Sequence, residues 1–212
     1  MIAVLTGDLV DSTRLSSAQY KQAISGLNTV LENIKGRTQC HFELFRGDGF
    51  QVVFPEPEKA VQAMFTVRLF LNSQIEDVAI NCTQALAYGT GELSKSSPGT
   101  STGEAFIQSG RALDNARGGE FRVIQATVTN GKTSQQPAID IMCSQLSYVL
   151  NRLSKKQADL LYQYISQDFP KHQVLADNNN TSRQNISERL KSAGGDLLAP
   201  FINYINALKD EA

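Results

Sequence analysis

Little in this chain is concentrated. Its 212 residues include only 3 Cys, 2 His and 6 Pro, and 20 Lys and Arg face 21 Asp and Glu for a net charge of −1. Each shortage excludes something. Cys40, Cys82 and Cys143 stand far apart, without the CxxC spacing of a zinc or redox site. They fit a reduced cytosolic set, buried as small apolar residues. His41 and His172 have no metal-ligand company, which argues against zinc. No Ser/His/Asp or Cys/His set with supporting context appears. Without a basic excess there is no global field for nucleic acid, so any such contact must be local. No run approaches the roughly 18 apolar residues of a membrane span, and the start lacks a basic region followed by a long apolar core. The expectation is a soluble, cytoplasmic chain with no membrane contact. It is long enough for one medium domain, or for a larger and a smaller one.

What the chain does have is a centre, His41 to Phe54, HFELFRGDGFQVVF. Two short runs rich in aromatic and β-branched residues flank Arg46-Gly47-Asp48-Gly49. Gly and Asp tolerate the positive φ of tight turns, so the spacing predicts a hairpin with Asp48 at its tip. Phe42, Phe45, Phe50 and Phe54 read as its core faces. An apolar run from Ile2 ends in Gly7-Asp8 and supplies a second strand-end carboxylate. Hard cations take oxygen ligands, and a shared pair of carboxylates can hold bridging Mg²⁺ beside a phosphate.

Taken in order, Ile2 to Val10 reads as a buried strand, followed by a turn at Asp11-Ser12-Thr13. Ser16 or Ser17 caps a helix running to about Ile34, with its apolar residues at three- and four-residue intervals. After the hairpin, Pro55 and Pro57 precede a helix from Glu58 to about Asn72. Val78 to Tyr88 alternates as a strand. Gly89 to Thr102, rich in Gly, Ser and Thr, reads as a loop. Thr102 or Ser101 caps a helix from Gly103 to about Arg117, which Gly118-Gly119 stops. Phe121 to Val128 is a last strand, with a turn at Asn130-Gly131. The opening βαββαβ order is ferredoxin-like: an antiparallel sheet with helices on one face. After Pro137 only helical patterns follow: 139–153, 156–165, 172–177, 182–193 and 197–208. The expected class is α+β. A sheet domain spans 1–130, a boundary falls near 130–138, a connector or dimer helix covers 138–153, and an all-α domain occupies 154–212.

Three blocks carry a resemblance. Asp8-Leu9-Val10-Asp11-Ser12-Thr13 follows the first strand, Gly47-Asp48-Gly49-Phe50-Gln51-Val52-Val53-Phe54 lies in the hairpin, and Gly103 to Leu113 opens a later helix. In type, order and spacing they resemble the class III nucleotidyl cyclases over roughly residues 1 to 125. Thr6-Gly7-Asp8-Leu9-Val10-Asp11-Ser12 and Arg46-Gly47-Asp48-Gly49-Phe50-Gln51 look closer still to SatD-type bacterial proteins, which join a cyclase-like domain to a helix-turn-helix. The resemblance implies a site for two Mg²⁺ (or Mn²⁺) ions on Asp8, Asp48 and the backbone carbonyl of Leu9, with a nucleoside triphosphate near Asp11, Ser12 and Thr13. It also implies a head-to-tail homodimer in which Arg111 of one copy stabilises the transferring phosphoryl group bound by the other. On its own chemistry Arg111 is equally an ordinary solvated helix residue. Arg46 either binds phosphate or pairs with Asp48 or Asp11.

The chain departs from the cyclase pattern at three positions. Leu44 stands where adenylyl cyclases keep a base-selecting Lys, Thr100 replaces an Asp, and Ile107 replaces the Asn that orients ribose. Leu and Ile cannot make those hydrogen bonds, and each lost buried contact costs about 1–3 kcal/mol. The usual residue set for cyclising ATP is therefore not present.

A second constellation lies at Gln173 to Leu190. Ala176 fits the small crossing residue of a helix-turn-helix, Asn180 the positive-φ turn position, Ser182 (or Thr181) the N-cap, and Ile186 and Leu190 the apolar anchors. Ser182, Arg183, Gln184, Asn185, Ser187, Arg189 and Lys191 are the candidate contacts to duplex DNA. From Ser154 to Ala212, however, 7 cations face 7 anions, so phosphate-driven affinity is small. A protein-interaction module is the competing use. Two functions stay open for the whole chain. One is a regulator that binds a metal-nucleotide and acts on DNA or a partner; the other is a divergent Mg²⁺-dependent cyclase or phosphotransfer enzyme.

Overall fold

The computed structural model describes residues 1–212 except 46, 77, 95–96, 126–134 and 210–212. The sheet half contains β1 (Ile2–Leu9), α1 (Ser17–Lys35), β2 (His41–Phe45), β3 (Gly49–Phe54), α2 (Ala60–Ser73) and β4 (Cys82–Gly89). It continues through β5 (Glu92–Ser94), β6 (Ser97–Thr102), α3 (Glu104–Asp114) and β7 (Phe121–Ile124). Five helices follow: α4 (Gln136–Leu150), α5 (Lys155–Ser166), α6 (His172–Asn178), α7 (Arg183–Ser192) and α8 (Gly195–Lys209). The class is α+β, as expected.

The main sheet has the order β2-β3-β1-β4-β7. Its first four strands are antiparallel neighbours and make the ferredoxin-like βαββαβ. The fifth, β7, pairs parallel to β4. A parallel neighbour needs a long crossover, and the stretch through α3 supplies it. This corrects the expectation of helices on one face. Along β1, Ala3, Leu5 and Leu9 join the large core beneath α1 and α2, whereas Val4 belongs to a separate cluster with Val53 and Ala105 of α3. Successive side chains of a strand point to opposite faces, so α3 covers the other side.

Several boundaries also shift. The stretch 89–102 is not a loop throughout: β5 and β6 form a small hairpin, pairing Glu92 with Thr102 and Ser94 with Ser97. Hydroxyls complete it, since the Ser94 N–H donates to Ser101 Oγ at 2.9 Å and Ser101 Oγ donates to the Ser97 carbonyl at 2.7 Å. Ser101 is thereby used up, and the N-cap of α3 is Gly103 at φ 137° rather than Ser101 or Thr102. Strand β4 begins at Cys82, not Val78. Pro137 opens α4 instead of preceding it, because a missing N–H costs nothing in a first turn. Of the two expected caps, Ser16 and not Ser17 starts α1, and Gln19 completes a capping box with it. The end of the expected strand 121–128, the turn at Asn130-Gly131 and most of the boundary at 130–138 lie outside the described residues.

The core runs without a break from Ala3 in β1 to Ile205 in α8. The seam between the halves is aromatic. Phe65 of α2, Phe121 of β7 and Phe201 of α8 meet edge to face, with centroids 5.2, 5.8 and 6.0 Å apart. Such pairs add about 0.5–1.5 kcal/mol each beyond their area. Of the hairpin phenylalanines, Phe50 and Phe54 are fully buried, and Phe42 and Phe45 are half-buried.

Candidate functional site

The end of β1 is fixed by its neighbours on both sides. Asp8 stands opposite Gly49 of β3 and opposite Thr83 of β4. That register places Asp48, the residue before Gly49, beside Asp8. The Leu9 N–H closes the arrangement on the Asp48 carbonyl at 3.3 Å. Gly7, one residue earlier, has no room for a side chain: a Cβ there would run into the Phe50 ring and stand 2.8 Å from the Thr83 carbonyl. The close approach of three strands at Gly7 is what brings the two carboxylates together.

Each carboxylate has a hydroxyl partner. Ser12 Oγ donates to Asp48 Oδ2 at 2.5 Å, and Thr83 hydrogen-bonds Asp8. Asp8 reaches solvent at its tip, yet burial of its surroundings raises its carboxyl above the ordinary value; the Thr83 hydrogen bond opposes that shift and the neighbouring Asp48 charge adds to it. Among the described residues, no Lys, Arg or His pairs with either acid. Two adjacent carboxylates without a protein counter-cation suit a divalent ion with oxygen preference, and the residues fit Mg²⁺ or Mn²⁺ in that respect. They stand as a pair: no group of three His, Cys, Asp or Glu side chains gathers among the described residues.

The remaining sequence-derived positions divide. Ser12 is buried, with its hydroxyl engaged by Asp48 rather than turned to solvent. Asp11 is exposed at φ 55° and pairs with Arg14 at 3.5 Å, and Thr13 is exposed. Arg46 lies outside the described residues. Arg111 is exposed on α3. Ser109 and Ala105 of that helix face the sheet, with Ser109 Oγ bonded to Thr6 Oγ1 at 3.0 Å. Two residues further on, about 200° around the axis, Arg111 points away from the sheet. Ile107, one turn before it, is 52% exposed on the same side. Thr83 is the residue that sequence reading missed. Only the β1–β4 register reveals it, since nothing in CTQALAY marks its Thr.

At the other end of the chain, α6 and α7 are joined by residues 179–182. Asn180 has φ 49°, the Thr181 N–H reaches back to the Ala176 carbonyl at 3.0 Å, and Ser182 Oγ caps Asn185 N at 3.2 Å. Ala176, Ile186 and Leu190 are buried. Arg183, Gln184, Asn185 and Lys191 are exposed, and Arg189 is half-buried. Ser187 differs from the expected DNA contacts around it. Its hydroxyl donates to the Arg183 carbonyl at 3.0 Å and lies 2.7 Å from His172 Nδ1, so it fastens α7 to α6.

No family model and no curated protein matches this chain. Solved structures similar to it include the monomeric guanylyl cyclase domain of the RhoGC fusion protein from the aquatic fungus Blastocladiella emersonii. The two are 16% identical over 57% of this chain and 79% of that one, with a TM-score of 0.47. Another is the guanylate cyclase domain of RhGC from Catenaria anguillulae in complex with GTP, 15% identical over 57% of this chain and 76% of that one, with a TM-score of 0.44. No helix among the described residues is long and apolar enough to cross a membrane.

Proposed function

We propose that this chain is a cytoplasmic regulatory protein. Its sheet half binds Mg²⁺ or Mn²⁺ with a nucleoside triphosphate at Asp8 and Asp48, and its α6–α7 pair works as a helix-turn-helix on duplex DNA. The observation that carries the first part is the adjacent carboxylate pair, held by three strands and two hydroxyls and left without a protein cation among the described residues. A cation bound there would neutralise the acids and accept phosphate oxygens. This chain's own part is to present Asp8 and Asp48 at fixed spacing, with Ser12 and Thr83 setting the direction of their lone pairs. The test is calorimetric titration of Mn²⁺, alone and with each nucleoside triphosphate, into wild type and Asp48→Asn. Wild type takes up Mn²⁺, and the variant loses at least about tenfold in affinity, because one of two charged ligands is gone. A wild type indifferent to Mn²⁺ overturns the reading. For the second part, retention on duplex DNA falls steeply with added salt, since exposed Arg183 and Lys191 would meet phosphates.

One observation favours the enzyme reading: Arg111 lies on the exposed face of α3, where a second copy of the chain could use it. In that reading the protein is a homodimer and releases pyrophosphate from a nucleoside triphosphate in the presence of Mg²⁺. The exposed Ile107 beside Arg111 counts against it, since it offers no hydrogen bond to the same substrate.

A further inference from the structure

Arg68 sits in the middle of α2 and is 2% exposed. Among the described residues no carboxylate pairs with it. A buried guanidinium without an anion is costly, so its acceptors must be close and well aimed. Nη1 donates to the Cys82 carbonyl at 3.2 Å, and Nη2 donates to the Gly119 carbonyl and to Asn151 Oδ1, both at 2.6 Å. These acceptors belong to three separate parts of the fold: the start of β4, the approach to β7, and the elbow between α4 and α5.

Two further bonds carry the network to the acid pair. The Gly119 N–H donates to Thr83 Oγ1 at 3.2 Å, which leaves the Thr83 hydroxyl proton for the Asp8 carboxylate. Asn81 Nδ2 donates to the same Asn151 Oδ1 at 2.6 Å, and the Asn81 carbonyl accepts from the Val10 N–H at 2.9 Å, one residue past Leu9. Only glycine serves at position 119. Its φ is 79°, and a Cβ would stand 2.7 Å from Asn81 Nδ2 and 2.9 Å from Asn151 Oδ1. Asn151 is itself exposed, with its carbonyl oxygen turned inward. The elbow can therefore let go of the network without unpacking the core, and a buried cation deprived of an acceptor pulls its remaining partners with it.

We propose that Thr83, Gly119, Arg68 and Asn151 form a polar chain coupling the setting of Asp8 to the elbow between α4 and α5, so that cation binding at the acids is felt by the C-terminal helices. This rests on the reading of Asp8 and Asp48 as a cation site. Coupling of this kind is reciprocal: what the cation does to the elbow, the elbow does to cation affinity.

The experiment uses the full chain with Mn²⁺ as probe. Free Mn²⁺ is titrated by electron paramagnetic resonance against wild type, Asn151→Leu, Asn151→Asp and Thr83→Val. Amide hydrogen exchange is followed in 151–158 with and without saturating Mn²⁺, and amides 20–34 of α1 report general stabilisation. In wild type, Mn²⁺ slows 151–158 by about fivefold more than α1, and Asn151→Leu weakens Mn²⁺ binding roughly fivefold. Asn151→Asp keeps both donors on a charged acceptor and retains wild-type affinity to within about twofold. Thr83→Val cuts the chain at the other end, so bound Mn²⁺ no longer slows the elbow; this arm decides the matter if Asn151→Leu does not fold. Equal slowing of both segments in wild type, or unchanged affinity in a folded Asn151→Leu, overturns the coupling alone. A wild type that takes up no Mn²⁺ overturns the cation reading, and the coupling with it.

Discussion

The two ends of this molecule handle charge in opposite ways. At the end of β1, strand register forces Asp8 and Asp48 together with hydroxyls for company and no cation among the described residues. Around α6 and α7 the acids are interleaved with neutral donors on their own helices: Gln184 bonds Glu188 at 3.1 Å, and Gln173 bonds Asp177 at 2.8 Å. Among the described residues, the first end concentrates charge that no Lys, Arg or His balances. The second spreads its charge over a solvated surface, where affinity for a polyanion has to come from shape and from a few exposed cations. Unbalanced charge is therefore the sharper guide to function here, and the sheet end carries it.

The comparison breaks most visibly if the two ends belong to separately folding units. Ile186 of α7 is fully buried and joins the same continuous core as Ala3 of β1. Ile186→Ala should cost about 2–5 kcal/mol, the transfer of lost methyl groups plus the cavity left behind. Because the core is shared, urea denaturation followed by circular dichroism should still show one transition, shifted as a whole. Two separated transitions, with the sheet unaffected, would mean that the helical end melts alone and that its charges can be read without reference to the sheet.

How far these features could be read from the sequence depends on how local their causes are. The helices show in their periodicity, and the start of α1 shows to within one residue in Ser16-Ser17, because an N-cap is a local feature. The acid pair shows because Gly-Asp-Gly marks a turn and Gly7-Asp8 ends an apolar run. The β5–β6 hairpin does not show, since it is closed by serine hydroxyls in a stretch whose composition reads as loop. Nor does Thr83, whose role exists only through strand register. Arg68 is the plainest case. In FTVRLF it looks like a solvated interruption of an apolar stripe, and only the meeting of β4, Gly119 and Asn151 gives a buried guanidinium its acceptors.

A smaller effect sharpens the sheet side of the contrast. Asp8 has a raised carboxyl pKa, from burial first and from the Asp48 charge after the opposing Thr83 bond. A raised folded value means that the native state holds the proton more tightly than the unfolded chain. Stability is therefore lost as pH rises from the unfolded value, about 3.9, through the folded one, and stays lost above it. Removing the charge should return that stability. Asp8→Asn, which can still accept from Thr83, is expected to raise stability at pH 7 by less than about 1 kcal/mol, discounted for solvent exposure. The same variant should lose Mn²⁺ uptake. A variant that is destabilised at pH 7 would show that the two acids are at ease with each other, and the contrast with α6–α7 would weaken.

The smallest effect concerns a balanced charge at the joint between the halves. Asp168 follows α5, accepts from Gln62 Nε2 at 2.9 Å, and pairs with Lys59 Nζ at 3.0 Å. The Gln62 hydrogen bond first, and Lys59 after it, hold its carboxyl below the ordinary value. The sign is opposite to that of Asp8. The contribution is present above the unfolded value and fades as pH falls through the folded one. Its size is limited, because the two side chains are 51% and 67% exposed, so less than about 0.5 kcal/mol is expected. Asp168 also has φ 62°, a conformation Asn tolerates, so Asp168→Asn removes charge without adding backbone strain. Denaturation midpoints of wild type and variant should differ at pH 6 and converge toward pH 3. A difference that stays constant across that range would assign the role of Asp168 to its hydrogen bonds alone, and the contrast in sign with Asp8 would be lost.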